Sequence, residues 1–480
     1  MSALSRLKSV ALVTIVSLVL AACGGSSTGL SPGPAPSPTP TPQPTQPAAS
    51  INSINHIVFM FQENRSFDHY FGKLNDYRAK LGLPQDVDGI PAAGFTNPKY
   101  QCTPETLATC GVITSFHQTD ACVENTSPSW NEHHVDYNRW ENKTPGHAAK
   151  MDGFVRTAAG YSRAPENFQT DIEGVRAMGY YTDEELNYYY FMAATFATSD
   201  RWFSPAPARS PTNRYYGFAA TSEGIAYNVD STHTVSHKTI FQLLDEAGIT
   251  WKIYHVPPPT QQGQPSPATY FLDYQWGQQH QAGHWVLLDE YFNDLKNGTL
   301  PQVVLIESAA GLDEHPGEAN LLVGQRHVAG LINALMASQY WKDSAFILTY
   351  DEMGGLFDHV PPPATMNPDG IKPFLNPDDI PGDFDRVGMR IPLVVVSPWV
   401  KKNYVSHTAA DFTAILKFIQ TRFKLPSLTL RDAAQMDMTE FFDFSSATPP
   451  LLTPPTPPTP RDPGSIKCSF VKPKPIPPTP

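Results

Sequence analysis

"HIVFMFQENRSFDHYFG", residues 56–72, decides how the rest of this chain reads. The opening "HIVFMF" is almost wholly apolar, the pattern of a strand covered on both faces of a parallel sheet. Directly behind it stand Glu63 and Asn64, then Arg65, Asp68 and His69. Ionisable groups just past such a strand sit at its carboxyl end, where open α/β sheets bind ligands. The plainer account is a helix start capped by Asn64 or Ser66. The stretch alone supports both.

Further along, helix and strand patterns alternate. "TIFQLLDEAG" (239–248) reads as a helix closed by Gly248, and "TWKIYHV" (250–256) as a strand. "WVLLDEYFNDLKNG" (285–298) reads as a helix closed by Gly298, followed by the strand "QVVLIES" (302–308). A long helix follows in "LLVGQRHVAGLINALMASQYW" (321–341), then the strands "AFILTYDE" (345–352) and "RIPLVVVSPWV" (390–400). "DFTAILKFIQTRF" (411–423) reads as a helix with Asp411 as its N-cap. Such alternation predicts an α/β fold, a mostly parallel sheet with helices on both faces. Residues 75–170 are loop-rich, hold three cysteines and read as an insertion over one end of the sheet.

The ends of the chain read differently from this body. Apolar residues make up 41% and charged residues 17%, which suits a core, but 48 prolines do not fit one uniform fold. They concentrate at 31–50 and 448–480, extended proline-rich tracts set apart from the body at 51–447. Residues 1–22 read as a signal peptide: Arg6 and Lys8, a short apolar run, then small residues. "LAAC" (20–23) resembles a bacterial lipobox and "GGSSTG" a tether, which together imply lipidation of Cys23 and export, with 23–50 as tether and linker. Export permits disulfides among Cys102, Cys110, Cys122 and Cys468, in three possible pairings. The short loop 102–110 favours local closure, which leaves Cys122 for Cys468. The net charge is −12 with no basic stripe, which argues against nucleic-acid partners.

Several predicted parallel strands run out into carboxylates on what should be one edge: Glu63 with Asn64, Glu307, and Asp351 with Glu352. Acids converging on one edge repel unless protons or a cation compensate them, which points to a metal site. "SPTNRYYGFAATS" (210–222) supplies a hydroxyl. Ser210 before Pro211 reads as an N-cap, and a helix start favours a bound phosphate or the alkoxide of a serine placed there.

Taken together, "HIVFMFQENRSFDHYFG", "SPTNRYYGFAATS", "DEHPG" (313–317) and "TYDEMGGLFDHVPPP" (349–363) resemble the bacterial phosphoesterase family of phospholipases C and secreted acid phosphatases. That resemblance implies an alkaline-phosphatase-like fold, and a divalent metal ion held by Glu63, Asn64, Asp351 and Glu352. It implies Ser210 as nucleophile, three residues before Asn213, and His315, His134 and His255 as active-site histidines. The chain departs from the family where many members carry His-Ser-Trp: here the residues are Pro128, Ser129 and Trp130, so that histidine is missing or its role has passed to His133 or His134. Oxygen ligands favour calcium or magnesium, with zinc as the softer alternative. The expected activity is phospholipase C-type hydrolysis through a phosphoseryl intermediate. An acid phosphatase on phosphomonoesters and a catalytically inactive surface-binding lipoprotein are the alternatives. Expected partners are a phosphate ester, a phospholipid among them, and a membrane reached through lipidated Cys23.

Overall fold

The apolar run of residues 56–62 forms strand β1 (His56–Gln62), buried from its second residue to its last. The computed structural model describes residues 49–470 apart from 145, 168, 228–234, 257–269, 318, 465–467 and 469. The signal, lipobox and most of the linker therefore lie outside the described residues. Seven further strands join β1: β2 (Ala197–Ser199), β3 (Trp251–His255), β4 (Trp285–Leu287), β5 (Val303–Glu307), β6 (Ser344–Tyr350), β7 (Leu393–Val396) and β8 (Tyr404–Ser406). Their order across the sheet is β8-β2-β7-β6-β1-β5-β3-β4. Only β7 runs antiparallel to its neighbours, so the sheet is mostly parallel, as its buried apolar strands dictate.

Register decides which residues meet. Phe61 lies opposite Glu307 on one side and Thr349 on the other, and Gln62 lies opposite Tyr350. The next strand places His255 opposite Glu307. Strands β1, β5 and β6 therefore end at one level, and Glu63, Glu307 and Asp351 emerge side by side. Helix Ser210–Ala219, buried along its whole length, presses on this edge. A Cβ on Gly217 would stand 2.9 Å from the Phe61 ring, so only glycine permits that approach.

Two expectations need correcting at their boundaries. "WVL" is not the first turn of a helix but the edge strand β4, with the Trp285 ring stacked on His255 at 3.8 Å; the helix starts at Asp289 and closes at Gly298. Three residues are too few to show a period of two, so the longer helical pattern behind them prevailed in the sequence reading. Helix Thr413–Phe423 starts behind Phe412, not Asp411, although the Asp411 carboxylate still accepts from Thr413 N at 2.8 Å.

Residues 75–170 hold short strands (Thr96–Pro98 against Val112–Thr114) and helices Trp130–Tyr137 and Phe154–Arg163, and Phe154 and Val155 pack in a small core with Met178 and Phe357 from outside the segment. Cys102 bonds Cys110, and Cys122 bonds Cys468. The proline-rich tail lies on the body over its described part: Leu451 is buried, the Trp341 indole donates to Leu451 O at 3.1 Å, and Arg461 reaches Glu185 at 3.4 Å. Among the described residues no helix is long and apolar enough to cross a membrane.

Candidate active site

Three loops leave the carboxyl edge and converge. From β1 come Glu63 and Asn64; from β6 come Asp351 and Glu352; from the first residue of helix Ser210–Ala219 comes Ser210. The serine's approach is fixed from within its own helix. The Asn213 side chain accepts from Ala206 N at 2.9 Å and donates to Ala208 O at 2.7 Å, which ties down the loop ahead of Ser210. Arg209, in extended conformation, takes the N-cap position, so Ser210 is the first helical residue and not the cap. Its hydroxyl is thereby released from capping. It stands 3.1 Å from Asn64 Nδ2 and donates to Glu352 Oε1 at 3.3 Å.

The loop after Glu352 needs glycine. Gly354 has φ +68°, and a Cβ there would stand 2.2 Å from Asn64 O, so the two-glycine turn lets the β6 loop close on the β1 loop. Gly354 N donates to Glu352 Oε2 at 2.6 Å and fixes that carboxylate.

Electrostatics set the character of the site. Four acids, Glu63, Glu307, Asp351 and Glu352, lie buried together. Arg214, wholly buried one turn along the serine's helix, answers three of them, at 3.0 Å to Glu63, 2.6 Å to Glu307 and 3.3 Å to Asp351. Burial outweighs that help. It holds the carboxyls of Glu63 and Glu352 above the ordinary range, Glu352 well above, and lifts Glu307 and Asp351 to about 7. Two polar atoms of the cluster, Asn64 Oδ1 and Glu307 Oε1, are buried without a hydrogen-bond partner. Surplus carboxylates beside an unpartnered amide oxygen form a hard, all-oxygen donor set, and a divalent cation fits it.

Of the expected histidines, His315 joins the cluster. Its Nδ1 lies 2.7 Å from Pro316 O, and its ring is near enough to draw down the carboxyls of Glu63 and Asp351. His255 ends β3 on the same edge, one strand beyond Glu307, with its ring stacked on Trp285. His134 is not brought to the serine. Its ring packs on Trp130 at 4.6 Å, Nδ1 lies 2.7 Å from Trp130 O, and it lines a cavity of about 430 Å³ with Tyr137, Pro207 and Arg386. His133 turns its Nδ1 to Pro128 O at 2.6 Å, within the Pro128–Ser129–Trp130 stretch.

Among the described residues, two tighter groups of ligand-type atoms lie elsewhere, Asp68–Asp358–His359 and His117–Glu184–Glu185. In the first, Arg390 binds Asp68 at 3.0 Å and Asp358 at 2.8 Å, and His359 binds Asp68 at 2.6 Å. These charges are answered from within, which makes the group a brace under the "FDH" loops. The second is bridged internally, His117 to Glu185 at 2.9 Å. Arg214, which pairs three of the acids, is a residue the sequence does not single out, because those partners are distant along the chain.

The Phosphoesterase family model matches residues 54–426. Non-specific phospholipase C1 of Arabidopsis thaliana is 30% identical over 401 residues, 79% of this chain and 69% of that protein. Phospholipase C B of Mycobacterium tuberculosis is 28% identical over 442 residues, 83% of this chain and 79% of that protein. Among solved structures, a protein in the alkaline phosphatase superfamily from Vibrio parahaemolyticus superposes with a TM-score of 0.33 at 10% identity, covering 76% of this chain and 78% of that one.

Proposed function

The chain belongs to the Phosphoesterase family and is a hydrolase of phosphate esters, and from that premise we propose that it is a phospholipase C-type enzyme with Ser210 as nucleophile. The observation that carries this reading is the Ser210 hydroxyl, freed from capping and held against Asn64 and Glu352 at the open end of a helix. A hard divalent cation on Glu63, Asn64, Asp351 and Glu352 would supply Lewis-acid polarisation of a phosphate oxygen and stabilise a neighbouring alkoxide.

The residues of the chain do the rest. Glu352 Oε1 takes the hydrogen of Ser210, which turns the oxygen lone pairs toward an incoming phosphorus. As Ser210 Oγ attacks, its proton passes to Glu352 Oε1, a phosphoseryl bond forms and the alkoxide departs on the opposite side; Glu352 returns the proton to Ser210 when water later breaks that bond. Because Nδ1 of His315 is engaged by Pro316 O, Nε2 is the atom that hands a proton to the departing alkoxide. The same atom then receives a proton from the water that hydrolyses the phosphoserine. His255 lies one strand away on the same edge, in place to bind a remaining phosphate oxygen. His134 takes no part in this scheme.

The relatives' names direct the substrate test: phosphatidylcholine against p-nitrophenyl phosphate. Release of phosphocholine from the lipid, faster than turnover of the monoester, is the expected result; turnover of the monoester alone would replace this reading with an acid phosphatase. Two disulfides accord with export, and we carry lipidation at Cys23 as part of the proposal. Mass spectrometry of the mature N-terminus checks it.

A further inference from the structure

Glu314, between Asp313 and His315, has no place in the scheme above, yet its surroundings are built around it. The residue is fully buried with φ +71°, a left-handed conformation unfavourable to any side chain with a Cβ. Its carboxylate accepts from Tyr70 OH at 2.6 Å, Tyr350 OH at 2.7 Å, Gln62 Nε2 at 3.3 Å and also from Tyr189 OH. Its backbone oxygen accepts from Arg65 Nε at 2.9 Å. Space is kept for it as well: a Cβ on Gly324 would stand 2.1 Å from Glu314 Cγ.

The identity of the donors gives the carboxylate its meaning. Gln62 directly precedes Glu63 and Asn64, and Tyr350 directly precedes Asp351 and Glu352. Arg65 directly follows Asn64. One buried carboxylate thus ties the 313–315 loop to the last residue of β1 and the last residue of β6, the two strands that deliver the proposed metal ligands. On the other side of the same loop, Glu63 N donates to Asp313 O at 2.8 Å. A loop pinned at these points cannot slide along the sheet edge, and the histidine it carries cannot either.

We propose that Glu314 is a positioning residue that fixes the His315 loop to the ends of β1 and β6, so that proton delivery to the leaving group depends on a carboxylate that never meets substrate. This rests on the reading of His315 as general acid. Proton donation matters most for a strongly basic alkoxide and least for a weakly basic phenolate, so the two leaving groups separate positioning from simple structural damage.

The experiment compares Glu314→Gln with the unmodified chain, both metal-loaded, on an alkyl ester and a p-nitrophenyl ester of the same phosphate. The glutamine keeps the size and removes the charge that aligns three phenols. Expected is a fall on the order of 10²-fold in the single-turnover rate of leaving-group release from the alkyl ester, little change in that rate for the p-nitrophenyl ester, and unchanged metal content. Tyr350→Phe, which deletes one donor and leaves the carboxylate, should show the same pattern more weakly and stands in if Glu314→Gln does not fold. In a His315→Ala background, Glu314→Gln should cost the alkyl ester nothing further. Equal losses on both esters, or additive losses in the double variant, would overturn the positioning role while leaving His315 as the acid. A His315→Ala series with no dependence on leaving group would overturn the acid assignment, and this proposal with it.

Discussion

Ser210 Oγ stands 3.1 Å from Asn64 Nδ2, a contact between residues 146 apart in the chain that joins the start of a helix to the end of a parallel strand. The contact leaves the hydroxyl facing the acids. Its environment depends on Asn213 and the Ala206–Ala208 carbonyls, none of which the hydroxyl touches. Ser210→Ala should therefore keep the fold and the metal content and lose turnover by several orders of magnitude, the scale seen when other activated nucleophiles are removed. Ser210→Thr should retain measurable activity, because it preserves the hydroxyl. Rapid acid quenching followed by peptide mapping should place phosphate on Ser210. Phosphate found on Thr212 would move the nucleophile by one residue pair.

Four acids buried together, three of them on Arg214, are costly to fold without a further cation. A bound divalent cation should raise the melting temperature, increasingly with concentration, as any ligand of the folded state does. Prolonged chelation should abolish hydrolysis, and re-addition should restore it. Glu352→Gln should weaken metal binding and need more cation for half-maximal activity; atomic absorption on the dialysed protein measures this directly. Full turnover by a verified metal-free preparation would end the metal scheme.

What could be read from the sequence follows from distance along the chain. The acid pairs were legible because each abuts its own apolar run: "VFMFQ" before Glu63 and "FILTY" before Asp351. Arg214 was not, since its partners lie 151, 93 and 137 residues away and no local pattern announces them. His134 was placed by likeness of motif. Which face of helix Trp130–Tyr137 it takes is set by Trp130 and the 380–386 segment packed on that indole, which spacing cannot show. Glu314 was hidden for a related reason: three of its donors are tyrosines, whose ordinary reading is core.

Two histidines should make the fold sensitive to acid. Burial holds His133 and His327 neutral, with each pKa lowered from 6.5 to about 4. Between those values the unfolded chain binds a proton that the folded chain refuses, so stability falls as pH drops from about 6.5 and levels off below about 4. Each histidine contributes up to about 3 kcal/mol of that loss. Urea unfolding of His327→Leu should show a smaller stability difference between pH 7 and pH 4 than the unmodified chain. An unchanged difference would mean that His327 is protonated in the folded state.

The last prediction concerns Arg214, which turns three acids from mutual repulsion into a paired cluster. Removing it by Arg214→Met keeps the length of the side chain and leaves Glu63, Glu307 and Asp351 buried without their partner. Breaking one side of a buried ion pair costs about 3–5 kcal/mol. The loss should be partly repaired by cation, which can answer Glu63 and Asp351 on the edge they share with Asn64. Glu307 is a different case: it stands one strand away, and its Oε1 already lacks a partner. The double variant Arg214→Met with Glu307→Gln should therefore be more stable than Arg214→Met alone, with an interaction energy of at least about 1 kcal/mol in the cycle. Urea titrations of the four proteins, each with and without cation, provide the measurement. Additive losses would mean that Arg214 is held by Glu63 and Asp351 alone, and that Glu307 is neutral beside it.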